Sequence, residues 1–236
     1  MKVLGLIPAR RGSKGLPGKN TRLLAGASLI ERAFRTAAAS RALDRIILST
    51  DDPAAADIAR ACGLDIPFER PAELAADSSG MLEVVEHALE SLARTGYRPD
   101  AVLILQPTSP LRTPQHIIDA VAALDGYTSV CSVVPLPPTH NPHYVMRKRA
   151  DGCLDFFMPE GSRVTRRQDA PQAYVRDGTI YLTDTDVVLR GRSLYGDRCR
   201  PMILSSDESL SIDSMEDWEA ATQRLQRTSS DERSAH

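Results

Sequence analysis

Cysteine is scarce and scattered: the chain has four, Cys62, Cys131, Cys153 and Cys199, and no two lie within a few residues of each other. That spacing argues against a zinc site or a dithiol redox motif and suits a reducing compartment. No apolar run reaches the length needed to cross a bilayer, and the opening residues lack the charge pattern of a signal peptide. A soluble, cytoplasmic protein with no membrane partner is therefore expected. An excess of one charge is missing as well, since 29 basic and 31 acidic residues leave a formal charge of -2. A general nucleic-acid binder would be basic overall. The runs Arg147-Lys148-Arg149 and Arg163 to Arg167 also lack the interleaved aromatics on which bases stack. No nucleic acid is expected as a partner, and any anion site has to be local. Internal repeats are absent too.

What is present is enough apolar residue, 42% of 236, for one sizeable core. Over the first 135 residues short β-rich runs alternate with helical periodicity, the signature of parallel strands joined by crossover helices in an α/β fold. Strands are predicted at Lys2-Pro8, Arg45-Ser49, Leu64-Pro67, Asp100-Gln106 and Thr128-Val134. Helices are predicted between them. Ser28-Leu29-Ile30-Glu31 reads as a capping box, with Leu29, Ile30, Ala33, Phe34 and Ala37 on one face. Asp52-Pro53 opens a helix that stops near Gly63. Met81, Val84, Val85, Ala88, Leu89 and Leu92 mark another over residues 79 to 94, and Thr113-Pro114 starts one through Leu124. From Leu136 to Gln172 the alternation breaks into a proline- and arginine-rich excursion, read as a small lobe or dimer arm. Strands at Gly178-Thr183 and near Arg200-Leu204 rejoin the sheet, and Ser214 with Asp217 caps a last helix through about Gln226. One domain over 1 to 226 with a polar, frayed tail at 227 to 236 is predicted.

The segment most indicative of function follows the first strand. Residues 9 to 20 hold three glycines and four cations, Ala9-Arg10-Arg11-Gly12-Ser13-Lys14-Gly15-Leu16-Pro17-Gly18-Lys19-Asn20. A Walker loop would place four residues before its Gly-Lys pair and a Ser or Thr after it, whereas five residues separate Gly12 from Gly18 and Asn20 follows. A dinucleotide fingerprint fails on its glycine spacing. What remains is a turn at the carboxyl edge of a parallel sheet, with Arg10, Lys14 and Lys19 able to face one triphosphate beside exposed amides.

The loop IPARRGSKGLPGKN resembles the signature of the acylneuraminate cytidylyltransferase family, which activates sialic acid and related 3-deoxy-2-ulosonic sugars. Three further segments carry the resemblance: Glu69 to Asp77 (ERPAELAAD), Leu105 to Arg112 (LQPTSPLR), and Arg167-Gln168-Asp169 with Gly178-Thr179-Ile180-Tyr181. Together they span residues 3 to about 217. The resemblance implies a Rossmann-like three-layer nucleotidyltransferase fold, a mainly parallel mixed sheet with a small protruding dimerisation lobe, working as a homodimer. It further implies transfer of CMP from CTP to an acidic sugar, of sialic, legionaminic, pseudaminic or KDN type, with pyrophosphate leaving. Such chemistry needs charge neutralisation and in-line positioning more than a covalent side chain.

By that resemblance Arg10, Lys19 and Asp213 are the catalytic candidates, and Ser13, Lys14, Asn20, Arg70 and Asp77 hold the nucleotide. Gln106, Ser109, His140, Arg167 and Gln168 would meet the acceptor. Arg70 and Asp77 could equally form a surface ion pair. Mg2+ is the implied cofactor. Its run in the family reads approximately DIDT, and here it is Ser211-Ile212-Asp213-Ser214, leaving Asp213 as the metal carboxylate. Asp207, Glu208 or Asp217 could assist, although Asp217 also fits a capping role. A second departure is Val175-Arg176-Asp177-Gly178, where the family commonly has RxNG with an arginine toward the sugar carboxylate. Since strand residues alternate in direction, an arginine displaced by one position can point to the opposite face, so Arg176 does not simply inherit that role and Arg167 and Gln168 remain as candidate anion contacts. His140 and His143 flank Pro142 without a nearby carboxylate, which argues against a metal pair. A loop contact to the acceptor from His140 or Tyr144 fits better. A phosphonate or other small acid is the alternative acceptor, and a CTP-binding protein without turnover is the alternative class.

Overall fold

A computed structural model describes residues 1–12, 15–76 and 78–234, with the side chains of these apart from 167 and 228–234. The chain begins with β1 (Val3–Pro8), buried along its whole length, as a strand covered on both faces must be. A two-residue hairpin, β2 (Leu23–Leu24) and β3 (Ala27–Ser28), leads into α1 (Leu29–Ser40), followed by β4 (Arg45–Ser49) and α2 (Pro53–Cys62). Next come α3 (Met81–Arg94), β5 (Ala101–Ile104), α4 (Pro114–Ala123) and β6 (Ser129–Pro135). A small antiparallel ribbon, β7 (Met146–Lys148) with β8 (Leu154–Phe156), stands in the 136–172 excursion among short single-turn helices. The chain returns through β9 (Tyr174–Asp184), α5 (Thr185–Leu189), β10 (Cys199–Ile203) and α6 (Met215–Ser234).

The six-stranded sheet runs β10-β6-β9-β5-β1-β4. β1 pairs in parallel with β4 and β5, and β10 with β6. Only β9 runs antiparallel to its two neighbours, so the sheet is mixed and mostly parallel. The layers follow from side-chain alternation. Val3 and Ile7 of β1 join a core with Ile30, Ala33 and Ala37 of α1, Ala55 and Ala59 of α2, and Ile117 and Ala120 of α4. Leu4 and Leu6 face the other way, onto Val85, Ala88, Leu89 and Leu92 of α3 and Val188 of α5. A third cluster lies at the sheet's carboxyl edge, where Leu16, Leu24 and Leu29 meet Ile212, Trp218 and Ala221.

Capping accounts for several boundaries. Asp52 accepts from the Ala54 amide ahead of Pro53, and Gly63, at φ 79°, closes α2 in the left-handed region. Asp217 accepts from the Ser214 amide at 2.8 Å while the Ser214 hydroxyl accepts from the Asp217 amide at 3.2 Å, the reciprocal cap predicted for α6. The cap of α1 is only half formed: Ser28 accepts from the Glu31 amide, but the Glu31 carboxylate pairs with Arg35 at 2.5 Å. Thr113 and His116 complete a reciprocal cap at α4.

Other boundaries differ from expectation. The strand predicted at 64 to 67 is a single bridge from Asp65 to Ile47, because Pro67 has no amide to extend a ladder. β9 begins four residues before Gly178, and α5 fills a stretch without strong periodicity. α6 runs through Ser234, past the predicted end near Gln226. None of the described helices is long and apolar enough to cross a membrane.

Candidate active site

Two concavities adjoin at the carboxyl edge of β1 and β5. The first, about 350 Å³, is lined by Arg10, Gly15, Lys19 and Asn20 of the first loop, Arg70, Met81, Gln106 to Thr108, and Asp213. Arg70 is 4% exposed, so it is no surface ion-pair partner. Its Nε donates to the Ser49 hydroxyl at 3.0 Å and its Nη2 to the Ser49 carbonyl at 2.7 Å. Burial lowers its pKa to about 10, Asp51 partly offsets that, and Arg10 adds to the lowering. It still carries charge at neutral pH. Two guanidinium groups close enough to repel, one of them desolvated, gain strongly from an anion between them.

Lys19 is brought to Asp213 from 194 residues away. Its Nζ donates to Asp213 Oδ1 and to the Ile212 carbonyl, each at 2.7 Å. Burial of Leu16 against Ile212 and Trp218 anchors the loop to that segment, and the Asn20 carbonyl is tied to the Ile30 amide at 3.3 Å. Asn20 Oδ1 is buried without a partner among the described residues, an acceptor that a ligand hydroxyl or amine can satisfy. Among the described residues, three cations thus face one carboxylate in this cleft. A larger concavity of about 590 Å³ beside α2 is lined by Asp51, Asp52, Asp65 and Glu69, with Arg60 as its cation. Its charge is wrong for a triphosphate.

The second concavity, about 340 Å³, shares Met81 and Gln106 with the first and adds Ile104, Val175, Arg176, Tyr181, Leu194 and Tyr195. Arg176 is the charged group in that lining. Its guanidinium lies over the Tyr195 ring, 5.0 Å from the centroid, and hydrogen-bonds the Tyr195 hydroxyl. Burial raises the Tyr181 pKa, keeping the phenol neutral, and its ring meets Tyr195 edge to face at 6.1 Å.

Unbroken alternation along β9 would turn Arg176 to the face opposite Tyr181, and the observed register does not follow it. The β6–β9 register pairs Cys131 with Tyr181 but Val133 with Arg176, a break between these positions. Two residues on β6 therefore span five on β9, and the extra residues restore Arg176 to the Tyr181 side. Gly178, at φ 88°, makes the bend. Asp177 turns inward, accepting from the Ser132 hydroxyl and from the Thr179 amide at 3.1 Å.

The remaining sequence-derived residues divide. Ser109 is buried behind Gln106, against Gly178, and supports the wall rather than lining either cavity. His140 and Gln168 are exposed on single helical turns of the excursion and are absent from both linings. Ser13, Lys14 and Asp77, and the side chain of Arg167, lie outside the described residues. Met81, read as helix core, stands at the first residue of α3 between the cavities. Tyr195 was missed; an aromatic in the loop before Gly196 was its only signal.

Among the described residues no group of three His, Cys, Asp or Glu side chains converges on one point. Asp217 and Glu208 are committed to the Ser214 and Ser205 segments and Asp207 does not line the cleft, leaving Asp213, whose side chain is 73% exposed. Among the described residues its Oδ2 has only the Ser211 hydroxyl, at 3.3 Å. That donor set does not enclose a cation, but it fits one held by a single carboxylate, water and a ligand's phosphates.

A mixed, mostly parallel three-layer sheet with a polycationic loop at its carboxyl edge defines a nucleotidyltransferase of the α/β class. A cytidylyltransferase family model matches residues 4–224, and the chain belongs to that family. It is similar to a CMP-N,N'-diacetyllegionaminic acid synthase of Legionella pneumophila subsp. pneumophila, 36% identical over 229 residues, covering 95% of this chain and 96% of the relative. An N-acylneuraminate cytidylyltransferase of Escherichia coli is 32% identical over 221 residues, covering 93% of this chain and 51% of the relative. Among solved structures, CMP:2-keto-3-deoxy-manno-octonic acid synthetase complexed with CTP aligns with a TM-score of 0.72 at 16% identity. That alignment covers 97% of this chain and 100% of the other, a likeness of fold.

Proposed function

We propose that this enzyme transfers CMP from CTP to a hydroxyl of a 2-ulosonic acid, of the legionaminic or sialic kind named for its relatives. The observation that carries the reading is the meeting of two cavities at Gln106 and Met81, one ringed by Arg10, Lys19 and Arg70, the other bearing Arg176. CTP occupies the first and the acid the second, so that the acceptor oxygen approaches the α-phosphorus near Gln106. The new bond joins that oxygen to phosphorus, the bond to the bridging oxygen breaks, and pyrophosphate departs while the hydroxyl proton passes to solvent. Arg10 and Lys19 neutralise the charge that develops on the leaving group. Arg70 and Asn20 hold the nucleotide, and Arg176 meets the acceptor carboxylate. Positioning and electrostatics suffice, as in phosphoryl transfer generally.

Asp213 would hold a magnesium ion together with the phosphates. Once bound, such an ion withdraws charge from phosphate oxygens. Lys19, on the other carboxylate oxygen, fixes the Asp213 orientation. A homodimer formed through the 136–172 lobe belongs to the same proposal, supported by exposed Val145, Met146, Leu154 and Phe157. The cytoplasm is its proposed location, in keeping with four free cysteines.

The test is pyrophosphate release from CTP with a panel of 2-ulosonic acids, with and without magnesium, and product masses read in parallel. A CMP-sugar formed only with magnesium is expected. No turnover with any 2-ulosonic acid refutes the reading, and turnover with a phosphonate alone reassigns the acceptor.

A further inference from the structure

Arg112 lies outside both cavities, yet it is 5% exposed, rare for a cation. Its Nε donates to the Thr179 carbonyl at 2.7 Å and its Nη2 to the Gln106 carbonyl at 2.9 Å. The first carbonyl follows Gly178 at the bend of β9; the second belongs to the residue shared by the two cavities. One planar guanidinium therefore joins the turn after β5 to the irregular part of β9, across 67 residues of sequence. Burial lowers the Arg112 pKa to about 10 and the Asp177 charge partly offsets this, so the guanidinium stays cationic at neutral pH.

The joint it closes is tight. A Cβ on Gly178 would sit 3.0 Å from Gln106 Oε1 and 3.4 Å from Ser109 Oγ. The Gln106 amide is thus confined between Gly178 on one side and the cavities on the other, and Arg176 lies two residues before that glycine. We infer that Arg112 is a positioning residue that sets the Gln106 amide and the Arg176 segment in one geometry for the acceptor. The inference rests on the acceptor assignment made above. A lysine keeps the charge but lacks the planar fork that spans two carbonyls.

The test compares wild type, Arg112→Lys, Arg112→Met and Gly178→Ala as full chains. It measures kcat, acceptor KM, the CTP dissociation constant by calorimetry, and thermal unfolding. Expected is a fall of about tenfold or more in kcat/KM for the acceptor in every variant, since a misplacement near 1 Å costs up to about 100-fold. CTP affinity should stay within about threefold and lysine should give little rescue. Gly178→Ala disturbs Gln106 without removing Arg112, so it reads the same joint if Arg112→Met does not fold. Loss of CTP binding in parallel with acceptor binding, or full rescue by lysine, overturns the inference, as does an unchanged acceptor kcat/KM. A wild type inactive on every 2-ulosonic acid overturns the proposed function, and this inference with it; an active wild type with indifferent variants overturns this inference alone.

Discussion

Replacing Gly15 with alanine tests whether the donor loop depends on direct backbone contact with the segment carrying Asp213. A Cβ on Gly15 falls 2.1 Å from the Asp213 carbonyl oxygen. Carbon and oxygen settle at about 3.3 Å or more, so loop and segment must part by about 1.2 Å. The obstacle is backbone, and no rotamer change relieves it. The displacement acts on Lys19, whose Nζ bridges the Ile212 carbonyl and Asp213 at 2.7 Å each. A lengthening of that size carries both bonds past the ordinary limit of about 3.2 Å. The fold should survive, because the two large cores on either face of the sheet involve neither this loop's Leu16 nor Ile212.

A reacting group misplaced by about 1 Å loses about 100-fold in rate. Gly15→Ala should therefore lower kcat about 100-fold in a continuous pyrophosphate assay, with CTP affinity by calorimetry reduced less than tenfold. Arg10 and Arg70 still attract the triphosphate, which is why binding suffers less than turnover. Thermal unfolding, measured on the same sample, separates a misplaced loop from a lost fold. A folded Gly15→Ala enzyme whose kcat stays within threefold of wild type would refute the reasoning.

Two further outcomes follow from other parts of the molecule. Arg176→Gln removes a charge-assisted contact worth about 1.5 kcal/mol at an exposed position, so acceptor KM should rise about tenfold. A carboxamide analogue of the acceptor should show no such rise, and equal effects on acid and amide would contradict the carboxylate contact. His87 packs edge-on against Phe68 at 4.9 Å, and its Nδ1 is buried without a partner among the described residues. Burial, aided by Arg94, lowers its pKa, so the unfolded chain binds the proton more readily. Stability is therefore complete above the unfolded value of about 6.5 and declines as pH falls through the lowered folded value. Urea midpoints between pH 7 and pH 5 should fall more steeply in wild type than in His87→Gln, and parallel slopes would exclude His87 as the cause.

Much of the architecture could be read from local chemistry. Asp52-Pro53 and Thr113-Pro114 announce their helices because a cap and a first-turn proline act within four residues. The continuous apolar character of Val3–Pro8 and Ala101–Ile104 announces buried strands for an equally local reason. Where local signals misled, a competing contact or a missing donor decided. Glu31 sits where a reciprocal cap would use it, but Arg35 one turn on competes for its carboxylate. Asp65 to Pro67 carry a strand-like pattern that one bridge and a proline cut short. Thr185–Leu189 was invisible because a five-residue helix is held by its contacts rather than by periodicity.

The same contrast divides the site. In the proposed function the phosphates meet a glycine-rich loop and cations at the end of one strand, so most of the residues assigned to the donor lie within Arg10 to Asn20 and the motif is contiguous. The wall of the second cavity has no such contiguity. Gln106 comes from β5's end, Tyr181 and Arg176 from β9, and Tyr195 from the loop before β10. Whether Arg176 faces the cavity depends on how many residues β9 spends opposite Cys131 to Val133, a property of the strand pair and not of β9 alone. Parity along one strand assumes an unbroken ladder, and a glycine at positive φ after Asp177 was the sign that the assumption fails here. A one-residue displacement of a functional arginine can thus be absorbed by an irregular strand. The position of a cation in a motif then matters less than the register of the strand that carries it.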